Sequence, residues 1–245
     1  MPYRYGDFID TATLPRDFDG DDRLSGSSAI GLPMSKGHYL ALRDWQDTSF
    51  TGPYRAVFHR DPSDHWTIYT NVRPEAGCGR FWSSAVDELR EVQIDVEASE
   101  GTHLSVSIPE VDFEWDMRFE STPSTSFMTV MAGMMPSRAW TSDPVLGMMS
   151  RFAGPVLGIG RIDMAGEMPN GQHYRMAPRA MWRVTAGRAH LGAIDLGEPA
   201  VLTDQIQLGD MWLPRRGLFA VGAVRSEPYD LTRHVPAHVT RGSDR

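Results

Sequence analysis

The sequence has a single cysteine and a single lysine in 245 residues. Cys78 has no second thiol to pair with, so no internal disulfide can form and a reducing, cytoplasmic setting is expected. Lys36 is the only amine side chain, so any lysine Schiff base would have to form there. It stands in the Gly/Ser/Pro-rich stretch GLPMSKG, a poor place to strip an amine of water. No run approaches the roughly 18 apolar residues of a membrane span; residues 152–159, broken by Gly and Pro, come nearest. The opening MPYRYGDFID lacks a basic region followed by an apolar one, so no cleaved secretion signal is expected. Lys+Arg total 24 against 32 Asp+Glu, a net charge of −8, and the longest basic run is Arg215-Arg216. That balance is wrong for displacing counterions from nucleic acid. With 41% hydrophobic residues, a chain of this length can bury a large core without a disulfide or metal staple.

Motifs for tightly bound groups are missing as well. His59 and His65 bracket Asp61 and Asp64, but the spacing lacks the helical i, i+4 register of a zinc site and any thiolate, so it reads as a solvated hairpin tip. Residues 17–22 resemble a calcium loop only in composition: the glycine comes two residues early, and Ser28 stands where a glutamate is required. The glycines at 154–160 lead to Asp163 rather than a third glycine, and no Gly-Lys-Ser/Thr exists to cradle phosphate. Ser25, Ser27 and Ser28 are not framed as a nucleophile elbow. Cys78 is flanked by small residues and Arg80 stands near it, but no base can be assigned. Neither a metal nor a cofactor is expected.

What is present is alternation. Residues 111–120 place five apolar residues between five charged ones without a fault, the signature of a half-buried strand. The same period holds over 91–97 and 103–108, and the short breaks predict an antiparallel meander. Further strands are expected around Trp66, Ile68, Thr70 and Val72, over 181–186, 189–196 and 218–224, and at a hairpin built on Pro169-Asn170-Gly171. Glycine recurs at about ten-residue intervals, as in a sandwich or barrel, and no βαβα rhythm appears. The expected fold is all-β: an antiparallel, closed or nearly closed barrel over 38–226. Residues 1–37 read as an extended arm and 227–245 as a flexible tail.

The barrel is interrupted at about 124–156. Asp143-Pro144 starts a helix, with Val145, Met148, Met149 and Phe152 at i, i+3, i+4 and i+7 and Gly154 as the stop. Phe127, Val130, Met131 and Met134 repeat the spacing upstream. Two helices, about 126–135 and 144–153, are therefore predicted. Their methionines suit an irregular apolar shape, whether the pair merely covers the sheet or forms the lid of a pocket. The carboxylates Asp112, Glu114 and Asp116 share one face of their strand, with His103 on a neighbouring one. On a solvent face they are solubilising charges. In a partly polar lumen, desolvation would raise a carboxyl pKa and make a proton donor.

The strand grammar of Leu89–Val96, His103–Ile108 and Phe113–Trp115, together with Ile159–Gly166 and the Asn170-Gly171 hairpin, resembles that of the lipocalin-like AttH and carotenoid-hydratase (hydroxyneurosporene synthase) group. The resemblance implies a calycin-type barrel that handles a lipid, terpenoid or polyketide-like molecule without a tightly bound cofactor. It carries over no catalytic residue.

The leading expectation is binding of a hydrophobic small molecule in an interior cavity, with acid–base hydration, isomerisation or cyclisation open at Asp112, Glu114, Asp116 and His103. Ligand contacts are expected from Trp115, Met131, Met134, Met148, Phe152, Trp182 and Trp212; Trp66, Tyr69, Trp82 and Tyr174 are further aromatic candidates. The alternative is a structural or interaction protein whose Met-rich surface docks a partner, a homodimer among the possibilities. A pocket puts Met131, Met134, Met148 and Phe152 around a void; a docking surface exposes them.

Overall fold

A computed structural model describes residues 22–237. The chain is mostly β. It opens with β1 (Asp22–Pro33), β2 (Tyr39–Thr48), β3 (Tyr54–Arg60) and β4 (Trp66–Thr70), then the single turn α1 (Gly79–Trp82) and β5 (Glu88–Glu91). The meander β6 (Asp95–Ser99), β7 (His103–Ile108) and β8 (Phe113–Glu120) leads into helices α2 (Pro123–Met134) and α3 (Asp143–Leu157). After these come β9 (Ala165–Glu167), the long β10 (His173–Leu191), β11 (Ile194–Gly197), a small hairpin of β12 (Gln207–Leu208) and β13 (Met211–Trp212), and β14 (Leu218–Ser226).

Among the described residues, all strands except the β12–β13 hairpin join one sheet, ordered β5-β4-β3-β2-β1-β14-β10-β8-β7-β6, with β9 and β11 also paired to β10. The sheet is mixed rather than purely antiparallel, because β4 and β5 run parallel. Its two ends, β5 and β6, are joined by residues 92–94, and the sheet curls until its inner face meets itself. Val57 and Tyr69 from one half share a buried cluster with Leu104 and Val106 from the other. The centre of the curl is solid. Phe119 stacks on Phe219 with ring centres 4.4 Å apart, and Trp182 meets both at 5.9 and 6.0 Å. Such bulky pairs fill space that an interior hollow would need. The expected ligand cavity inside the curl is therefore corrected: that space is core.

The meander forms as its alternation dictates. Over β8 the buried and exposed residues alternate without interruption, and each strand pairs antiparallel with the next. Two details differ. Val111 belongs to a 3-10 turn and Asp112 takes a left-handed φ of 49°, so the strand begins at Phe113. The 91–97 alternation is split, with Glu91 ending β5 and Asp95 starting β6.

The expected arm over 1–37 is also corrected from residue 22 onward. β1 runs through the middle of the sheet between β2 and β14. Both of its edges are hydrogen-bonded, so small polar residues such as Ser25 and Ser27 are buried although their sequence reads as loop. Residues 1–21, including most of the calcium-like run, and 238–245 lie outside the described residues. The start of the expected tail is held down: Glu227 Oε2 accepts from Arg233 at 2.7 Å, and its Oε1 accepts from the His173 backbone N–H at 3.1 Å. No helix among the described residues is long and apolar enough to cross a membrane.

Candidate functional site

The strand face carrying the acids points to solvent. Glu114 and Asp116 are exposed alternates of the buried Trp115 and Met117, and Asp112, also exposed, has left the row with its left-handed backbone. Glu114 stands 3.1 Å from His190 and Asp116 3.3 Å from His103. Ser99 Oγ lies 2.9 Å from His103 Nδ1, so serine, imidazole and carboxylate are strung together. They are not among the residues that line the apolar cavity described below, and a nucleophile needs a walled place for its substrate. These are surface pairs. The proposed catalytic set of His103, Asp112, Glu114 and Asp116 is not gathered around a ligand space.

The helical insert forms, with longer helices than expected. Thr122 caps α2: its Oγ1 accepts from the Thr125 N–H at 3.2 Å, and its own N–H donates to Thr125 Oγ1 at 2.8 Å. Helix α3 passes Gly154 and Pro155 and ends at the left-handed Gly158, φ 63°, where the N–H of Ile159 reaches back to the carbonyl of Gly154 at 3.1 Å. The faces are reversed from the expectation. In α2 the buried stripe is Thr125, Met128, Thr129 and Ala132. The α2 stripe read from the sequence lies outside, with Met131 41% and Met134 75% exposed; on α3, Met148 is 65% and Phe152 48% exposed, while Met149 of the same stripe lines the cavity described below. Both stripes of α2 obey helical spacing, so periodicity could not say which one faces the sheet.

Beneath the insert, against the outer face of the sheet, lies an apolar cavity of about 130 Å³. Its floor is made of small residues from three adjacent strands. Gly26 of β1 pairs with Gly222 of β14, which pairs with Pro178 of β10, and Ser28 and Ala220 continue the floor. Neither glycine can be replaced freely: a Cβ on Gly26 would meet the Asp44 carbonyl at 2.1 Å, and one on Gly222 the Ala177 carbonyl at 2.6 Å. Met128 and Ala132 of α2 and Met149, Ala153 and Leu157 of α3 form the roof. Side walls come from Met164 and Met168 after α3, Met176 and Met181 of β10, and Met211 and Trp212 of β13. Half of the fourteen methionines thus line one space, with their flexible thioethers available to reshape it.

Several hydrogen bonds tie the insert to the sheet, among them one from Arg183 of β10 to the Leu157 carbonyl of α3. Thr129 Oγ1 accepts from the Met181 N–H at 3.1 Å, and Arg175 donates to both oxygens of Asp143 at 2.7 and 3.1 Å.

One end of the cavity is polar. It is formed by Arg43, Trp45, Tyr54 and Cys78, walled by Phe81 and Trp82. Trp45 and Tyr54 are cross-strand partners, and Tyr54 Oη lies 3.5 Å from Cys78 Sγ. Burial pushes the Cys78 thiol up and the Tyr54 phenol well above its ordinary range, so both hold their protons at neutral pH. Burial also lowers Arg43, but a guanidinium keeps its charge.

Of the residues expected to touch ligand, Trp212 lines this cavity, as do Trp82 and Tyr174 among the further aromatics. Trp115 and Trp182 belong to the solid core, and Met131, Met134, Met148 and Phe152 face outward. The polar end went unrecognised in the sequence; the signal for the floor was the run of small residues in Ser25–Gly31 set against Ala220–Ala223.

Two other clusters are structural. His38 Nδ1 and His59 Nε2 are 3.0 Å apart and buried; burial lowers both, His59 to about 4, so they form a neutral pair. Lys36 is exposed and paired with Asp195 at 2.6 Å. Among the described residues, no group of three or more His, Cys, Asp or Glu side chains is placed to hold a metal.

No family model matches the chain, and no curated protein matches it. Among solved structures, it is similar to an acetoacetate decarboxylase from Legionella pneumophila, with 10% identity, a TM-score of 0.40, and coverage of 94% of this chain and 96% of that one. A likeness of that size bears on neither activity nor site.

Proposed function

We propose that this protein binds a small hydrophobic molecule between the outer face of its sheet and its helical insert. The observation that carries the reading is the cavity itself: apolar, of about 130 Å³, and floored by the small residues Gly26, Ser28, Ala220 and Gly222. An apolar cavity of about 150 Å³ holds one benzene-sized molecule, so the enclosed part of the ligand is a ring or a short branched chain. The lipid, terpenoid or polyketide class implied by the resemblance to the AttH and carotenoid-hydratase group remains part of the proposal at this level: a hydrophobic molecule on a β scaffold, in a reducing, cytoplasmic setting. The finer lipocalin-like architecture belongs to the same proposal.

Binding is favoured over acid–base conversion by the cavity's chemistry. Tyr54 and Cys78 are held protonated by burial, Glu114 and Asp116 are exposed and do not line the cavity, and Asp163, the carboxylate that does, is paired with Arg161 at 3.4 Å. Calorimetric titration with toluene tests the reading. The wild type is expected to bind it, and Ala220→Leu, which fills the floor, is expected to lose binding while remaining folded. A wild type that takes up no toluene contradicts the proposal.

One observation favours a second reading, interaction through the insert. Six large apolar side chains, Phe127, Val130, Met131, Met134, Met148 and Phe152, are each more than 40% exposed on two adjacent helices, and contiguous apolar surface of this kind marks contact sites. Its simplest form is a homodimer, which light scattering over a range of concentrations would reveal. A monomer at every concentration would exclude that form.

A further inference from the structure

The cavity reading leaves the ligand's polar group open; the following inference rests on that reading and names the group. Among the described residues, Arg43 is the only guanidinium lining the cavity. Among other partly buried arginines, Arg55 has Asp44 at 3.3 Å and Arg80 has Asp22 at 2.6 Å, whereas Arg183 and Arg215, which do not line the cavity, are held by the carbonyls of Leu157 and Leu202. Among the described residues Arg43 has no acid partner. Its Nη1 donates to the carbonyls of Ala29 at 3.0 Å and Leu42 at 2.9 Å, next to the register shift between β1 and β2. Its Cζ lies 5.5 Å from the centre of the Phe58 ring. Carbonyl dipoles and an aromatic face lessen the cost of burying the cation but supply no counter-charge.

The side chains beside Arg43 offer donors. Arg43 pairs with Ala56 and Trp45 with Tyr54 across β2 and β3, so Arg43, Trp45 and Tyr54 are neighbours on one face of the sheet. Trp45 is 6% exposed; its Nε1–H lies beside the Cys78 thiol but completes no hydrogen bond. Arg43 Nε and, beyond a long 3.5 Å contact to the Ile30 carbonyl, Nη2 form the edge that a carboxylate fits with two parallel bonds. We propose that the occupant is a small apolar carboxylate, its ring or branched chain against the methionines and its two oxygens accepting from Arg43 and from Tyr54 or Trp45. The cavity's apolar walls and the uncompensated cation would then be satisfied by one molecule.

Titration of the full chain at pH 7 with toluene, benzamide and benzoate separates this inference from the reading it rests on. Benzoate is expected to bind about tenfold or more tightly than the other two, a charge-assisted contact in a dry site. Tyr54→Phe should narrow the benzoate-to-toluene ratio and Arg43→Met should abolish it. Equal affinity for toluene and benzoate in the wild type, or a benzoate preference that survives both substitutions, overturns the carboxylate inference and leaves the cavity reading standing. A wild type that binds none of the three overturns both. If Arg43→Met does not fold, because Nη1 also holds the strand carbonyls, the wild-type ratio and Tyr54→Phe decide the question.

Discussion

Arg175 of β10 grips Asp143 in the first turn of α3 through two parallel hydrogen bonds, Nε to Oδ1 at 2.7 Å and Nη2 to Oδ2 at 3.1 Å. The pair anchors the roof of the cavity to its wall. Arg175, and then His173, hold the Asp143 carboxyl below its ordinary range. A depressed carboxylate stabilises the fold above its unfolded value, about 3.9, and that contribution is lost as pH falls through the folded value. Acidification below about pH 4 is therefore expected to lower the hydrogen-exchange protection of α3 relative to the intrinsic rate at each pH. Asp143→Asn should remove that acid response, costing about 1 kcal/mol or less at neutral pH because the pair is half-exposed. An exchange profile with the same pH dependence in both proteins would contradict the anchoring role.

The acids of β8 give a prediction of no effect. Glu114 and Asp116 contact only surface partners, so Glu114→Ala and Asp116→Ala should each shift urea stability by about 0.5 kcal/mol or less. Toluene affinity should be unchanged in both. A large loss of binding in either variant would put the ligand at these surface acids rather than in the cavity.

Glu227 holds the chain after β14 in place. Hydrogen bonds from Arg233 first, and then from the His173 backbone and His234, bring its carboxyl down to about 2. The contribution is complete above the ordinary glutamate value, about 4.3, and fades as pH falls toward 2. Glu227→Ala is expected to accelerate tryptic cleavage after Arg233 at neutral pH while the thermal midpoint barely moves. Cleavage at the wild-type rate would mean that Glu227 does not hold the segment.

The outward stripes can be changed without touching the cavity. Met134 and Met148 are the most exposed apolar side chains of the insert, so Met134→Glu with Met148→Glu should leave stability within about 0.5 kcal/mol and toluene binding intact. Any concentration-dependent association should fall. Unfolding of the double variant would show that these side chains are packed after all.

The sequence made the meander legible because β7 and β8 each have one wet and one dry face, and alternation records that directly. It hid β1, where Ser25, Gly26 and Ser27 look like loop residues and only pairing on both edges makes them a central strand. The insert was legible as two helices but not in orientation. Phe127, Val130, Met131 and Met134 form a more apolar stripe than Thr125, Met128, Thr129 and Ala132, yet the second packs on the sheet, where Thr129 bonds to Met181. The cavity was hidden for a related reason: its existence depends on Gly26 and Gly222 meeting across two strands almost two hundred residues apart, a coincidence of register that local pattern does not encode.

Methionine methyl NMR gives the most direct measure of where a ligand goes. On titration with toluene, the ε-methyl signals of Met128, Met149, Met176, Met181 and Met211, which line the cavity, are expected to shift together, while those of the exposed Met131, Met134 and Met148 stay where they are. Shifts confined to Met131, Met134 and Met148 would place the ligand on the outer surface of the helices and contradict the account.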